Sequence, residues 1–228
     1  MNTSSSNKAL AGLTAAALIT VPVLFSAGFS FLSARFDYPQ ILKHSPDEIL
    51  RRFDAHHAAL QPGWYALLLA GVLFIPLSTL AADRYASPRM ASTARAFGIA
   101  AGLMQAAGLA RWVFLVPTLA ARYVATTDTA EQLALRTVFQ AFHDYAGNGL
   151  GEHLGYLFTG LWTLLIAHGL RKSSKGFAIT GLISALAILV GLLDPLGFAA
   201  TGAINALGYV AWSVWLIALG IKTARSKA

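Results

Sequence analysis

Four ionisable groups sit in stretches of sequence that are otherwise apolar: Arg111, the adjacent Glu152 and His153, and Asp194. A charge placed in hydrocarbon costs several kcal/mol, about 3 on insertion scales, so such residues pair, face water or hold something. Arg111 lies about eight residues, roughly 12 Å, short of the end of its run. Glu152 lies one or two turns into the following run, which enters from that same side. The two are expected partners across a hairpin, with the aliphatic stem of the arginine extending its reach. Tyr156 stands one turn beyond Glu152, while Asp194 ends a fifth run and Asn205 lies near the start of a sixth, in the same layer. An arginine so placed can hold an anion, such as a carboxylate or a lipid headgroup. The expected ligand-binding set is therefore Arg111, Glu152, His153, Tyr156, Asp194 and Asn205. The same residues also fit a self-satisfied Arg–Glu pair that only sets helix register.

Other chemistries fit less well. A metal set can be drawn from His143, Asp144, Glu152 and His153. Neighbours on a helix point about 100° apart, however, and rarely share one ion. No HExxH pattern occurs, and no metal site is expected. His153 and His168 fall near one face of their run, as haem ligands would. Every other histidine (His44, His56, His57, His143) lies between runs, which leaves at most one haem near the surface. There is no GxSxG, no phosphate loop and no cysteine. An intramembrane metal- or haem-dependent enzyme is thus the rival reading, and it needs His143 and His153 to converge with Asp194 or Glu152. A structural or accessory subunit is the third. The residues assign no cofactor.

The elements that position these groups are six apolar runs: 10–32, 64–82, 96–119, 150–170, 177–193 and 203–221. The 228-residue chain is 56% hydrophobic and 12% charged, with a mean hydropathy of +0.59. A soluble domain carries roughly 25% charged residues. Each run approaches or exceeds the ~20 residues that cross a bilayer. Within lipid the backbone must satisfy itself, so the runs should be helices. The expectation is an all-α membrane protein: one domain, a six-transmembrane-helix bundle. The first run is too long for a signal-peptide core of about 7–15 residues and reads as a retained helix.

The net charge of +7 points to the membrane rather than to nucleic acid, because the basic residues sit in short segments between runs. With the amino terminus inside, the cytoplasmic segments hold Lys8, Arg84, Arg89, Arg95, Arg171, Lys172, Lys175, Lys222, Arg225 and Lys227, opposed only by Asp83. The other side holds Arg35, Lys43, Arg51, Arg52, Arg122 and Arg136 against Asp37, Asp47, Glu48, Asp54, Asp128, Glu131 and Asp144. The positive-inside rule then puts both termini in the cytoplasm.

Two outer segments should form amphipathic helices over the bundle. Ser45-Pro46-Asp47-Glu48 reads as a capping box with proline at the first helical position. Asp128 with Glu131 reads as a second box, followed by a stripe of Leu135, Val138, Phe139 and Phe142. The glycines around Asn148 read as a flexible joint into the fourth run. Below the polar layer the inner half is mostly apolar, so the expected activity is binding or moving a small molecule or an anionic lipid in the outer leaflet. Membrane lipids are the expected partners; the oligomeric state is not readable.

FDYPQIL (36–42) with the following LRRF, GLARWVFLVP (108–117) and GEHLGYLFTGLWT (151–163) resemble an uncharacterised family of bacterial multi-pass membrane proteins, domain of unknown function 4386. The resemblance runs from the first run to about the sixth. It implies a bacterial inner-membrane protein of this topology, carries no activity, and makes Arg111, Trp112, Glu152 and His153 parts of a pattern.

Overall fold

The computed structural model describes residues 3–198 and 200–226, and every element among them is helical. In chain order these are α1 (Thr3–Phe36), a short 3-10 turn (Gln40–Lys43), α2 (Pro46–Tyr85), α3 (Ala91–Phe114), α4 (Val116–Ala125) and α5 (Thr129–Phe142). A π-helical segment (His143–Leu154) leads into α6 (Gly155–Leu170). Then come α7 (Lys175–Val190), a second 3-10 turn (Gly191–Leu196) and α8 (Thr201–Arg225). Neighbouring helices close a ring: α1 packs on α2, α2 on α3, α3 on the π segment and α6, α6 on α7, α7 on α8, and α8 back on α1. One end of the ring carries both termini, and the opposite end carries α4 and α5.

Among the described residues, five helices are long and apolar enough to cross a membrane: Asn7–Phe36, Pro46–Tyr85, Ala91–Ala125, Lys175–Leu196 and Thr201–Arg225. The fourth apolar run is divided between the π segment and α6. Large apolar side chains project outward, among them Ile179, Ile183, Leu207, Val210 and Val214. A surface of that kind suits lipid rather than water. This is a membrane protein.

Inside the ring, tryptophans tie helices together through their single donor, as small polar contacts do in bilayers. Trp162 Nε1 donates to the Ser78 carbonyl at 3.2 Å, Trp212 Nε1 to Thr163 Oγ1 at 2.8 Å, and Trp215 Nε1 to the Phe177 carbonyl at 2.9 Å. A core around Leu18, Phe74, Trp162, Trp212 and Leu216 fills the middle and the termini end. A second, built on Phe36, Phe53, Trp64, Trp112 and Phe139, fills the α5 end.

Three local expectations change. The first amphipathic helix is not a separate element: residues 46–61 continue without a break into the second run as one 40-residue helix, about 60 Å long at 1.5 Å per residue. Pro62 removes only one backbone donor, and Gly63 lies flat against Phe31 and Leu32, so neither stops the helix. Second, the glycine-rich stretch is no flexible joint. It is a wide helical segment, with Gly147 buried and Gly108 and Gly151 meeting backbone to backbone. Glycine in a sequence signals either freedom or close approach, and here the neighbour makes it the latter. Third, the third run is interrupted at Leu115. Pro117 has no N–H for the Val113 carbonyl, and Gln61 Nε2 of α2 donates to that carbonyl at 3.5 Å.

The caps form only in part. Ser45 Oγ accepts from the Glu48 amide at 3.4 Å, but the Glu48 carboxylate turns to His44 at 2.8 Å and Arg52 at 3.6 Å. The His44 hydrogen bond holds its carboxyl below the usual glutamate range. Asp128 accepts from the Ala130 amide at 2.9 Å, and Glu131 pairs with Arg122 at 2.6 Å, which depresses its carboxyl likewise. At the termini end, Arg95 pairs with Asp83 at 2.8 Å and Arg84 donates to Ser226 at 3.3 Å. Lys222 meets Ser174, and Tyr85 meets Thr223. Lys227 lies outside the described residues.

Candidate functional site

The α5 end of the ring is built around one arginine and two tryptophans. Trp112 of α3 stacks face to face on Trp64 of α2, with ring centroids 4.3 Å apart and planes 3° from parallel. Phe36 meets both rings edge-on, Phe53 leans on Trp112 at 5.8 Å, and Phe139 closes the far side at 6.1 Å. Asp37, with φ of +56°, turns the chain out of α1. That turn lays the ring of Tyr38 edge-on against Trp64 at 5.1 Å.

Arg111 precedes Trp112 by one residue on the chain and lies beside this stack, only 8% exposed. Its Cζ is 5.4 Å from the Trp112 ring, in the range of a cation–π contact. Nη1 donates to the Gly108 carbonyl one turn back, at 2.5 Å. Across the interface the guanidinium fills the space a side chain at Gly147 would need. No carboxylate lies within 4 Å of it among the described residues, and its buried Nε has no hydrogen-bond partner.

The expected Arg111–Glu152 ion pair is therefore not made. The cause is register: the arginine folds over Gly147, while Glu152 is five residues further along the π segment. The two still interact through space, and Tyr156, one turn along the helix, lies near Glu152. Tyr38 belongs to the same group. Burial, and then the charge of Glu152, push its phenol up to about 12, with Arg111 opposing.

The remaining expected residues disperse. Asn205 is buried, but its Nδ2 is used on the Ile188 carbonyl at 2.8 Å, and it packs with Tyr156 around Gly191. Asp194 is exposed and accepts the Thr201 hydroxyl at 2.8 Å, at the start of α8. It lies within electrostatic reach of Glu152 but makes no contact with Arg111. His153 is half-buried, next to Glu152 in sequence, and no hydrogen bond joins it to Arg111 among the described residues. Asp144 accepts from Gln140 at 2.9 Å and from Asn148 at 3.4 Å. Among the described residues no three His, Asp or Glu side chains gather as a metal-binding set.

The structure adds residues that the sequence pattern did not single out. Buried polar atoms without a protein partner include His57 Nε2, Gln61 Oε1, Trp64 Nε1 and His143 Nδ1, besides Arg111 Nε. All four residues border the aromatic cluster: His57 rests on Phe53, Gln61 reaches Val113, and His143 stacks on Phe139 at 5.8 Å. Burial, followed by the charge of Arg111, pushes the His143 imidazole below its usual range, which favours the neutral ring. The sequence signal for them was weak: a Gln-Pro-Gly-Trp break inside an apolar helix, and a histidine one residue past an amphipathic stripe. Native proteins leave few buried polar groups unpaired, so five around one pair of tryptophans mark this as the candidate site.

A family pattern for a domain of unknown function (DUF4386) matches residues 13–220. The chain belongs to that family. The match includes α2 to α7 whole and most of α1 and α8, so the Arg111–Trp112–Trp64 arrangement lies inside it. No curated protein and no solved structure matches the chain.

Proposed function

We propose that the protein binds the acidic group of a small molecule or lipid at Arg111, in the outer leaflet. One observation carries this reading: a buried guanidinium with a single protein hydrogen bond and no carboxylate in contact. Removing a charge from water is costly unless the geometry repays it with partners. Nη1 is taken by Gly108, but the edge formed by Nε and Nη2 has no partner among the described residues. That edge is the fork that a planar carboxylate or a phosphate accepts in bidentate fashion.

The orientation follows from charge. Arg84, Arg89, Arg95, Arg171, Lys172, Lys175, Lys222 and Arg225 gather at the termini end, where the only acid among the described residues is Asp83. On the positive-inside rule that end is cytoplasmic, all six runs cross the inner membrane, and α5 lies on the outer surface.

The test uses oleate as probe on the full chain in mild detergent, followed by native mass spectrometry. Wild type should hold one oleate. Arg111→Gln should lose it, and Arg111→Lys, which keeps the charge without the fork, should weaken it about tenfold. Absence of an adduct in wild type, or an adduct indifferent to Arg111→Gln in folded protein, refutes the proposal.

A further inference from the structure

The opposite end of the ring holds a feature that the Arg111 site does not use. Between the α2–α3 turn and the α6–α7 turn lies a cleft of about 380 Å³. That is within the range of small-molecule sites, roughly 300–1,000 Å³. Its lining is polar and of one sign: Arg84, Arg171 and Lys172, with His168, Ser87 and Ser173 between them. Among the described residues no aspartate or glutamate lines it, and Asp83, next to Arg84 in the chain, is already held by Arg95 at 2.8 Å. Arg84 rests its guanidinium over Tyr85 at 5.7 Å and spends one donor on Ser226. Arg171 and Lys172 are exposed and pair with no carboxylate among the described residues.

Charges that serve only to orient a membrane protein need to be near the span ends. They do not need to converge on a concavity without counter-charge. Uncompensated cations around a cleft raise the local anion concentration, and basic pockets between helices at the cytoplasmic face suit phosphorylated headgroups. The Ser87 hydroxyl adds a neutral donor for phosphate oxygens, while that of Ser173 donates to the Leu170 carbonyl at 3.4 Å.

We infer that this cleft binds a phosphate-bearing anion at the membrane interface, presented either by an acidic phospholipid headgroup or as free phosphate. The site is separate from Arg111 and lies at the other end of the bundle.

The experiment titrates the detergent-extracted full chain with phosphatidic acid, with phosphatidylcholine and with inorganic phosphate, using native mass spectrometry for the lipids and thermal melting for the ion. Phosphatidic acid should add one copy with at least tenfold preference over phosphatidylcholine. The pair Arg171→Gln and Lys172→Gln should weaken it at least tenfold. Arg89→Gln with Lys175→Gln removes the same charge just outside the cleft and should leave binding within twofold. Ser173→Trp fills the cleft at constant charge and should abolish the adduct, which keeps a readout if the charge variant fails to fold. Arg111→Gln should leave this adduct in place. If inorganic phosphate at millimolar concentration stabilises wild type and displaces the lipid, the natural ligand is the free anion; if it does neither while the lipid binds, it is the headgroup. Equal losses in the two charge variants, binding indifferent to Ser173→Trp, or no binding of either probe overturns the inference.

Discussion

Gly147→Ala sets two physical effects against each other with opposite signs. Alanine is about 1 kcal/mol better than glycine inside a helix, so propensity alone makes the variant more stable. The site argues otherwise. A Cβ on residue 147 would lie 2.6 Å from Arg111 Cζ and 2.9 Å from Nη1. Ordinary carbon contacts begin near 3.4 Å, so the guanidinium must retreat by several tenths of an ångström or more. Its 2.5 Å bond to the Gly108 carbonyl and its place over Trp112 go with it. A hydrogen bond to a charged group contributes about 1.5–3 kcal/mol, which leaves a net destabilisation of about 0.5–2 kcal/mol after the propensity gain. Gly149→Ala is the control. It lies in the same π-helical segment, and its nearest neighbour is the Asp144 carbonyl at an ordinary 3.5 Å, so propensity should win there. Thermal melts in one detergent, followed by tryptophan fluorescence, should place Gly147→Ala below wild type and Gly149→Ala at or above it. Oleate binding should fall about tenfold in the first and hold in the second. If the two variants melt together above wild type with binding intact, the packing of Arg111 on Gly147 is not what holds that side chain.

Three further outcomes are expected. Trp212→Phe deletes the Nε1–H bond to Thr163 Oγ1 (2.8 Å) and should cost about 1–2 kcal/mol. Thr163→Val placed on top of it should add far less than it does alone, and strict additivity in the double-mutant cycle would contradict the bond. Because pairing with Arg122 depresses the Glu131 carboxyl, that pair stabilises the start of α5 above the ordinary glutamate range, near 4.3. The contribution is lost as pH falls through the lower folded value. Hydrogen-exchange protection of the first turn of α5 should drop over that window, and Arg122→Gln should remove the pH dependence. The chain has no cysteines, so single cysteines at Arg89 or Ser173 and at Leu133 or Tyr145 report topology directly. An impermeant maleimide added to intact cells should label only the latter pair; labelling of the former would invert the orientation.

Much of the architecture follows from local rules that a sequence states openly. Apolar runs of about 20 residues, in a solvent that offers no hydrogen bonds, must be helices, and five to six of them appear. Ser45 and Asp128 start their helices because an unpaired amide needs an acceptor wherever the helix sits. Depth along an axis is readable too, since rise per residue is nearly constant, and this is why Arg111, Glu152, Asp194 and Asn205 are expected in one layer, with Tyr156 one turn beyond Glu152. Azimuth is another matter. Whether Arg111 meets Glu152, or folds over Gly147 onto Trp112, depends on how α3 and the π segment are rotated against each other, and a wide helical turn shifts that rotation. The same holds for Asn205, whose amide finds the Ile188 carbonyl instead of the site, and for Trp64, whose indole lies flat on Trp112 from a helix 48 residues away in sequence. The sequence by itself determined which segments are apolar helices and how far along each helix a polar group lies, because both depend on the chain's own backbone. Only the tertiary structure decided which groups face each other and which are left without a partner, because that depends on the packing of helices remote in the chain.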